Sequence, residues 1–183
     1  MQSKEFRRRF YKMADRTKIP LIEQKVADDF VKRISEAQRL VGPNIPLENE
    51  WAKIEEKDWA YNLGVIFLSE SAGANIAFSR LGALVGYSLI NGQFGLLHEE
   101  IPRVNKEDIV SVFDWIAEGQ ERHSGDTIRP LEESWQIITN ENRIYAGLSD
   151  YFATALGAEL RQTRYGALIG YKMLEFRIKN ATK

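Results

Sequence analysis

The sequence contains two similar segments in tandem, and this repeat constrains the fold more than any other feature. Ile19-Pro20 begins the first segment and Ile101-Pro102 begins the second. The offset between matching residues is about 82 at first and about 84 later, and self-similarity at a nearly fixed offset indicates duplication of a structural unit. We therefore predict a tandem duplication, with repeat one over residues 19–100 and repeat two over residues 101–183.

The similarity is strongest towards the end of each repeat. Arg80, followed by Gly82-Ala83-Leu84-Val85-Gly86-Tyr87, recurs as Arg164, followed by Gly166-Ala167-Leu168-Ile169-Gly170-Tyr171. The weaker matches pair Ile34, Glu36 and Gln38 with Ile116, Glu118 and Gln120, Pro46-Leu47-Glu48 and Trp51 with Pro130-Leu131-Glu132 and Trp135, Tyr61 with Tyr145, and Gly73-Ala74 with Gly157-Ala158.

Apolar residues recur at helical spacing, and no strand-like alternation occurs, so we predict an all-α fold. In repeat one the helices are expected over 21–41, from Pro46 to about Lys57, and over 59–91 with Gly92 as the stop. In repeat two they are expected over 106–119, 130–139 and 142–180. A straight helix of 34 residues would be about 51 Å long, whereas a compact chain of this size is about 40 Å across. Each long stretch should therefore break or bend, at Gly73 and at Gly157. The alternative is two long crossing helices that protrude from the body.

We expect the two halves to be related by a pseudo-twofold axis and to pack into one compact, fused domain. Gly82 and Gly86 lie four residues apart, on one face of a predicted helix, as do Gly166 and Gly170. Glycine inside a helix costs about 0.5–1 kcal/mol relative to alanine. Its recurrence predicts a groove in which another helix approaches closely.

Composition excludes several kinds of protein. The chain has no cysteine, which rules out disulfides and thiolate chemistry, and its two histidines lack metal-ligand spacing. No apolar signal segment or membrane-spanning stretch is recognisable, which predicts a cytoplasmic protein. Nor is there a phosphate-binding glycine loop, a His-Glu-x-x-His pair or a nucleophile elbow. These absences favour a non-catalytic protein without a cofactor or a metal.

Arg80 and Arg164 lie in otherwise apolar helices, where an unpaired charge is costly. One interpretation is a salt bridge, to Glu36 or Glu48 in repeat one and to Glu118 or Glu132 in repeat two. The other is a binding site for a small anion or a carboxylate at the pseudo-twofold axis, because arginine binds such groups in bidentate fashion. That site would consist of Arg80, Tyr87, Arg164 and Tyr171.

Tryptophans fall into two classes. Trp51 and Trp135 match each other and are predicted to anchor the core. Trp59 and Trp115 have no matching tryptophan in the other repeat. They are candidates for partner recognition, since tryptophan is enriched at binding hot spots.

The N-terminal segment, residues 1–18, is a predicted basic amphipathic arm. It has seven basic and two acidic residues, against 18 basic and 24 acidic residues in the remainder. Within it a short amphipathic helix is predicted over residues 3–14, because Phe6, Phe10 and Met13 have the spacing of one helix face. Arg7, Arg8 and Arg9 could bind the acidic body of the protein, an acidic protein, nucleic acid or an anionic membrane.

The leading functional prediction is a soluble protein–protein interaction module of an immunity, antitoxin-like or regulatory adaptor kind, because acidic surfaces capture basic partners. A homodimer is compatible with the sequence. The first alternative is a ligand-binding protein or enzyme with the anion site described above. The second is nucleic-acid or membrane binding through the arm.

Overall fold

The structure is a computed structural model that describes residues 18–126 and 128–181. These residues form eight α-helices and no strand, so the predicted all-α class is confirmed. The predicted helix at residues 3–14 lies outside the described residues. The helices are α1 (Gln24–Val41), α2 (Ile45–Lys57), α3 (Trp59–Ser71), α4 (Ile76–Leu96), α5 (Lys106–Arg122), α6 (Ile128–Glu141), α7 (Arg143–Ala155) and α8 (Leu160–Ala181).

The two long predicted helices are each broken in two, at the predicted glycines. Gly73 lies between α3 and α4 with φ of +70°, and Gly157 lies between α7 and α8 with φ of +65°. Glycine adopts this left-handed conformation without the steric cost that a side chain brings. The break allows each pair of helices to fold back within a compact body.

The observed helices differ from the predicted ranges by a few residues at several ends, and tertiary contacts explain two of these differences. Helix α1 begins at Gln24 instead of residue 21, because the amide of Ile22 donates to Asn142 Oδ1 (3.2 Å) and does not join the helix. Helix α4 continues through Gly92 to Leu96, so Gly92 is not a stop. A Cβ at Gly92 would approach Val26 Cγ1 to 2.9 Å, so this glycine permits close packing inside the helix.

Helices α4 and α8 form the most extensive helix–helix contact of the described chain and cross at their glycines. A Cβ atom at Gly82 would overlap the carbonyl oxygen of Thr163, and one at Gly166 would overlap the carbonyl oxygen of Ser79. Here the predicted close approach of two backbones is confirmed. The second glycine of each pair, Gly86 or Gly170, instead faces a side chain.

Those side chains are two buried tyrosines. The Tyr61 hydroxyl donates to the carbonyl of Ala83 (2.7 Å) and lies where a Cβ of Gly170 would be. The Tyr145 hydroxyl donates to the carbonyl of Ala167 (2.6 Å) and lies where a Cβ of Gly86 would be. Each glycine therefore leaves space for a tyrosine that is hydrogen-bonded to the opposite helix of the crossing.

Contacts between the two halves also involve the residues that immediately precede α3 and α7. Asp58, which precedes α3, accepts the amide of Tyr61 (3.1 Å) and the amide of Val104 (3.0 Å). Asn142, which precedes α7, accepts the amide of Ile22 and donates to the carbonyl of Pro20 (3.1 Å). The segment that leads into α5 is thus held by the first half, and the segment that leads into α1 is held by the second.

The core is shared between the two halves. Trp51 and Trp135 are both buried, which confirms their predicted role as core anchors. Every contact among helices α1–α4 has a counterpart among α5–α8, and α3 contacts α8 as α7 contacts α4. None of the described helices is both long and apolar enough to cross a membrane.

Candidate functional site: an exposed apolar face

The outer side of α3 carries a stripe of large apolar residues. Trp59, Leu63 and Phe67 are four residues apart, and their side chains are 63%, 39% and 49% exposed. The opposite side of α3 is buried through Tyr61, Val65 and other residues. Both sides of this helix are therefore apolar, although only one of them is covered by the rest of the protein.

Helix α5 extends the stripe sideways. Val110 is 50% exposed and Phe113 is 42% exposed, and the rings of Phe67 and Phe113 lie 5.8 Å apart. Gly64 of α3 permits close packing against both α8 and α5, because a Cβ there would overlap Met173 Sδ and would lie 3.1 Å from Ile109 Cγ1. We call the surface formed by Trp59, Leu63, Phe67, Val110 and Phe113 the α3/α5 face.

Carboxylates border the α3/α5 face. Glu70 is the only charged residue of α3, and on α5 the exposed acids Glu107, Asp114 and Glu118 outnumber Lys106. None of these four carboxylates forms an ion pair with another residue in the described part of the chain. The face therefore combines exposed apolar area with an unneutralised negative border.

A surface at matching positions of the other half has different chemistry. Helices α7 and α1 contact each other as α3 and α5 do. By the sequence offsets, Arg143, Gly147 and Tyr151 occupy the places of Trp59, Leu63 and Phe67, while Asp28 and Val31 occupy those of Val110 and Phe113. We call this the α7/α1 face. Because α7 and α1 pack in the same way with a more polar outer surface, the fold does not require the apolar residues of the α3/α5 face.

A separate, concave feature lies beside α8. It is a cleft of about 600 Å³ lined by residues of α6, α8 and the turn after α3, among them Trp135, Arg161, Arg164 and Tyr165. The Arg164 guanidinium donates to both oxygens of Asp150, each at 2.8 Å. This bidentate bond raises the pKa of Arg164, with the charge of Glu132 adding to the effect. The predicted salt bridge to Glu118 or Glu132 is therefore wrong, since the partner is Asp150.

Arg80, at the matching position, has a different environment. Its guanidinium carbon lies 4.9 Å from the centre of the Trp51 ring, and its buried Nε has no hydrogen-bond partner in the described residues. The predicted salt bridge to Glu36 or Glu48 is wrong here too. The position that matches Asp150 holds Ile66, so the first half offers no acid there and the cation stacks on an indole instead.

The two tyrosines of the predicted anion site lie in separate clusters. The Tyr87 ring packs at 4.7 Å against Tyr61, and the Tyr171 ring packs at 5.0 Å against Tyr145. Burial raises the pKa of Tyr171 to about 12, although a hydrogen bond with Asn142 opposes the rise. Arg164 lines the cleft described above and Tyr171 lines a different one. Ligand binding by these residues stays a prediction.

Of the two tryptophans predicted to recognise a partner, Trp59 lies in the α3/α5 face. Trp115 is half-buried, with the ammonium of Lys172 at 4.9 Å from its ring centre, and belongs to the edge of the core. Arg7, Arg8 and Arg9 lie outside the described residues, so binding of nucleic acid or membrane by the arm stays a prediction.

Sequence reasoning found Trp59 but missed Leu63, Phe67, Val110 and Phe113. The spacing of Trp59, Leu63 and Phe67 was a usable signal, because a helix with apolar residues on all sides is either fully buried or has an exposed apolar stripe. The contribution of α5 had no local signal, since the contact of Phe67 with Phe113 joins helices that are distant in sequence.

In the described part of the chain, no group of three or more His, Asp or Glu side chains is placed to hold a metal ion. Neither a protein-family model, nor a curated protein, nor a solved structure matches this chain. What the protein does must therefore be inferred from its own surface.

Proposed function

We propose that the protein is a protein–protein interaction module that binds its partner through the α3/α5 face. The observation that carries this proposal is the contrast between two matching surfaces, of which one has five large apolar residues and the other does not. Exposed apolar patches of this kind, bordered by polar residues, mark interaction sites in soluble proteins. An immunity, antitoxin-like or regulatory adaptor role is a specific form of the same proposal.

The composition of the face agrees with this function. Tryptophan and phenylalanine supply most of the binding energy at interfaces when water is excluded around them. Phe67 and Phe113 already contact each other, so little side-chain order has to be gained there on binding. The acidic border favours a basic partner, since complementary charge accelerates encounter and suppresses incorrect partners.

The same proposal includes the origin of the scaffold: a tandem duplication whose halves are related by a pseudo-twofold axis. The exchanged contacts support it. Tyr61 packs against Gly170, and in the same way Tyr145 packs against Gly86. Asp58 binds the amide of Val104, and in the same way Asn142 binds the amide of Ile22. In this view the duplicated core is a common support, and the divergence of one outer face gave the protein its binding surface.

The experiment is quantitative capture of proteins from the native lysate by three tagged forms of the chain. The first is the wild type, and the second is the double variant Trp59→Arg with Val110→Asp, which carries the residues of the α7/α1 face. The third, a matched control, changes Arg143 and Asp28 to alanine. Substitutions at exposed positions such as these change stability by about 0.5 kcal/mol or less, which thermal melts would verify.

We expect one protein that is retained by the wild type and by the control and is lost from the double variant. Its binding to the purified wild type should then weaken at least about tenfold in the double variant, since each hot-spot aromatic contributes about 2 kcal/mol or more. Retention that is equal in all three forms, or retention of no protein, would contradict the proposal.

A further inference from the structure

We propose that the α3/α5 face is occupied by the amphipathic segment over residues 3–14 of the same chain. The inference rests on the proposed function, because it takes the same face as the binding surface. It adds the kind of ligand that the face accepts, which is a basic amphipathic helix. The N-terminal segment then acts as a self-ligand, and a protein partner with the same chemistry has to displace it.

The apolar residues of the segment and of the face are complementary. Phe6, Phe10 and Met13 have the spacing by which an amphipathic helix inserts its apolar side between two helices. On the face, Phe67 of α3 and Phe113 of α5 are in contact at one end, and the exposed Trp59 lies at the other. The apolar stripe of the segment is thus similar in length to the exposed stripes of α3 and α5, and it would pack against both of them.

The charges are also complementary. Arg7, Arg8, Arg9 and Lys12 flank the apolar residues of the segment. Along the face, Glu70, Asp114 and Glu118 have no ion-pair partner in the described part of the chain. Arginine side chains bind carboxylates with charge-assisted hydrogen bonds. Docking would neutralise both the basic segment and the acidic border.

The described chain begins at a point from which α5 can be reached. Lys18 and Lys179 line the same cleft, and the neighbouring Asn180 donates to Asp108 Oδ1 at 2.9 Å. Asp108 is in the first turn of α5. A helix of twelve residues is about 18 Å long, and residues 15–17 add up to about 10 Å when extended. The described chain thus begins beside the end of α8, which itself contacts the first turn of α5.

The cleft next to Lys18 is the competing position, and its charge disfavours a basic segment. Leu21 and Ile137 are exposed there and would offer apolar contact. However, the cleft is lined by three lysines and two glutamates, and Glu175 is already paired with Lys172 and Lys179. Its lining therefore offers a basic segment less negative charge than the acidic border of the α3/α5 face does.

The test is photo-cross-linking in the full-length protein, with Phe10 of the predicted apolar side replaced by the phenylalanine derivative p-benzoylphenylalanine and the product mapped by mass spectrometry. An equal mixture of light and heavy isotope-labelled protein separates links within a molecule from links between molecules. We expect intramolecular links to α3 and α5, near Phe67 and Phe113. These links should be lost in the Trp59→Arg, Val110→Asp variant and retained when Arg143 and Asp28 are changed to alanine.

Three results would overturn the inference: links to the cleft around Leu21 and Ile137, absence of any link, and links to the face that occur only between two molecules. The last of these would indicate a dimer with exchanged N-terminal segments. Hydroxyl-radical footprinting gives a second readout. In the variant Phe6→Ser with Phe10→Ser, the oxidation rates of Trp59 and Phe113 should rise severalfold while that of Tyr151 stays constant, and unchanged rates would count against docking.

The two proposals can fail separately. If the cross-links map elsewhere while lysate capture still depends on Trp59 and Val110, the face binds a partner without being covered by the chain's own segment. If the cross-links map to the face while capture is equal in all forms, the face serves the chain itself and the interaction proposal is wrong.

Discussion

The interior crossing of α4 and α8 and the two outer faces of the molecule differ in how far the two halves agree. At the crossing, Gly82 is matched by Gly166, and each is pressed against the backbone of the opposite helix. On the outside, Trp59 is matched by Arg143 and Val110 by Asp28. Two backbones in contact leave no space for an alternative side chain, whereas a solvent-exposed position accepts many. Agreement between the halves therefore indicates packing, and disagreement indicates where function can differ.

The largest expected effect comes from adding one carbon atom at the crossing. Gly166→Ala and Gly82→Ala should each destabilise the protein by about 3 kcal/mol or more, because overpacking against rigid backbone is hard to relieve. Urea unfolding followed by circular dichroism measures the loss. The control is Gly147→Ala on α7, where a Cβ would meet nothing within 4 Å; that change should stabilise by about 0.5–1 kcal/mol. Similar stability of Gly166→Ala and the wild type would show that the helices do not approach so closely.

A smaller, pH-dependent effect is expected at Asp58, the residue of the first half that holds the segment leading into α5. Burial raises the pKa of the Asp58 carboxyl above 3.8, despite the hydrogen bonds from the amides of Val104 and Tyr61, which lower it. The folded protein thus binds this proton more tightly than the unfolded chain, so stability should fall as the pH rises above about 4 towards the folded pKa. Above the folded pKa the loss is complete.

Asn142 shows how to remove that dependence, because it holds the corresponding segment without a charge. The variant Asp58→Asn should therefore lose the decline in stability above pH 4 and should equal or exceed the wild type at neutral pH. Thermal melts of both proteins over a pH series make the comparison. A wild-type stability that rises through this range, and a variant that does not differ from it, would contradict the assignment to Asp58.

The smallest effect is expected at the ion pair of Arg164 with Asp150. Arg164 is paired with Asp150, but the two side chains are 37% and 35% exposed, so solvent screening should keep their coupling below about 1 kcal/mol. A double-mutant cycle with Arg164→Met and Asp150→Ile measures this coupling. Isoleucine is used because Ile66 occupies the position of the first half that matches Asp150. A coupling well above this limit would show that the pair does more than stabilise the surface.

The sequence predicted the helical class, the breaks at Gly73 and Gly157 and the buried Trp51 and Trp135, because each depends on local spacing or on repetition. It failed for Arg164, whose partner Asp150 has no acidic counterpart in the first half and so could not be found from the repeat. It failed for Gly92, because a glycine that admits Val26 looks the same in sequence as one that ends a helix.

The candidate site was predicted only through Trp59. The α3/α5 face joins residues of α3 to residues of α5 that follow more than forty positions later in the chain. Which side of a wholly apolar helix remains exposed is determined by its neighbours, and the sequence of α3 alone does not specify them.

Each half holds the segment that leads into the first helix of the other half, through Asp58 and Asn142. This arrangement also affects how the protein folds during its synthesis. Translation delivers the first half seconds before the second, since chain growth runs at about 5–20 residues per second. During that interval Asp58 lacks Val104, α7 and its Asn142 do not yet exist to hold Ile22, and the glycine groove of α4 is open to water. The first half is therefore structurally incomplete while it is on the ribosome, and these contacts can form only after α7 and α8 have left the exit tunnel.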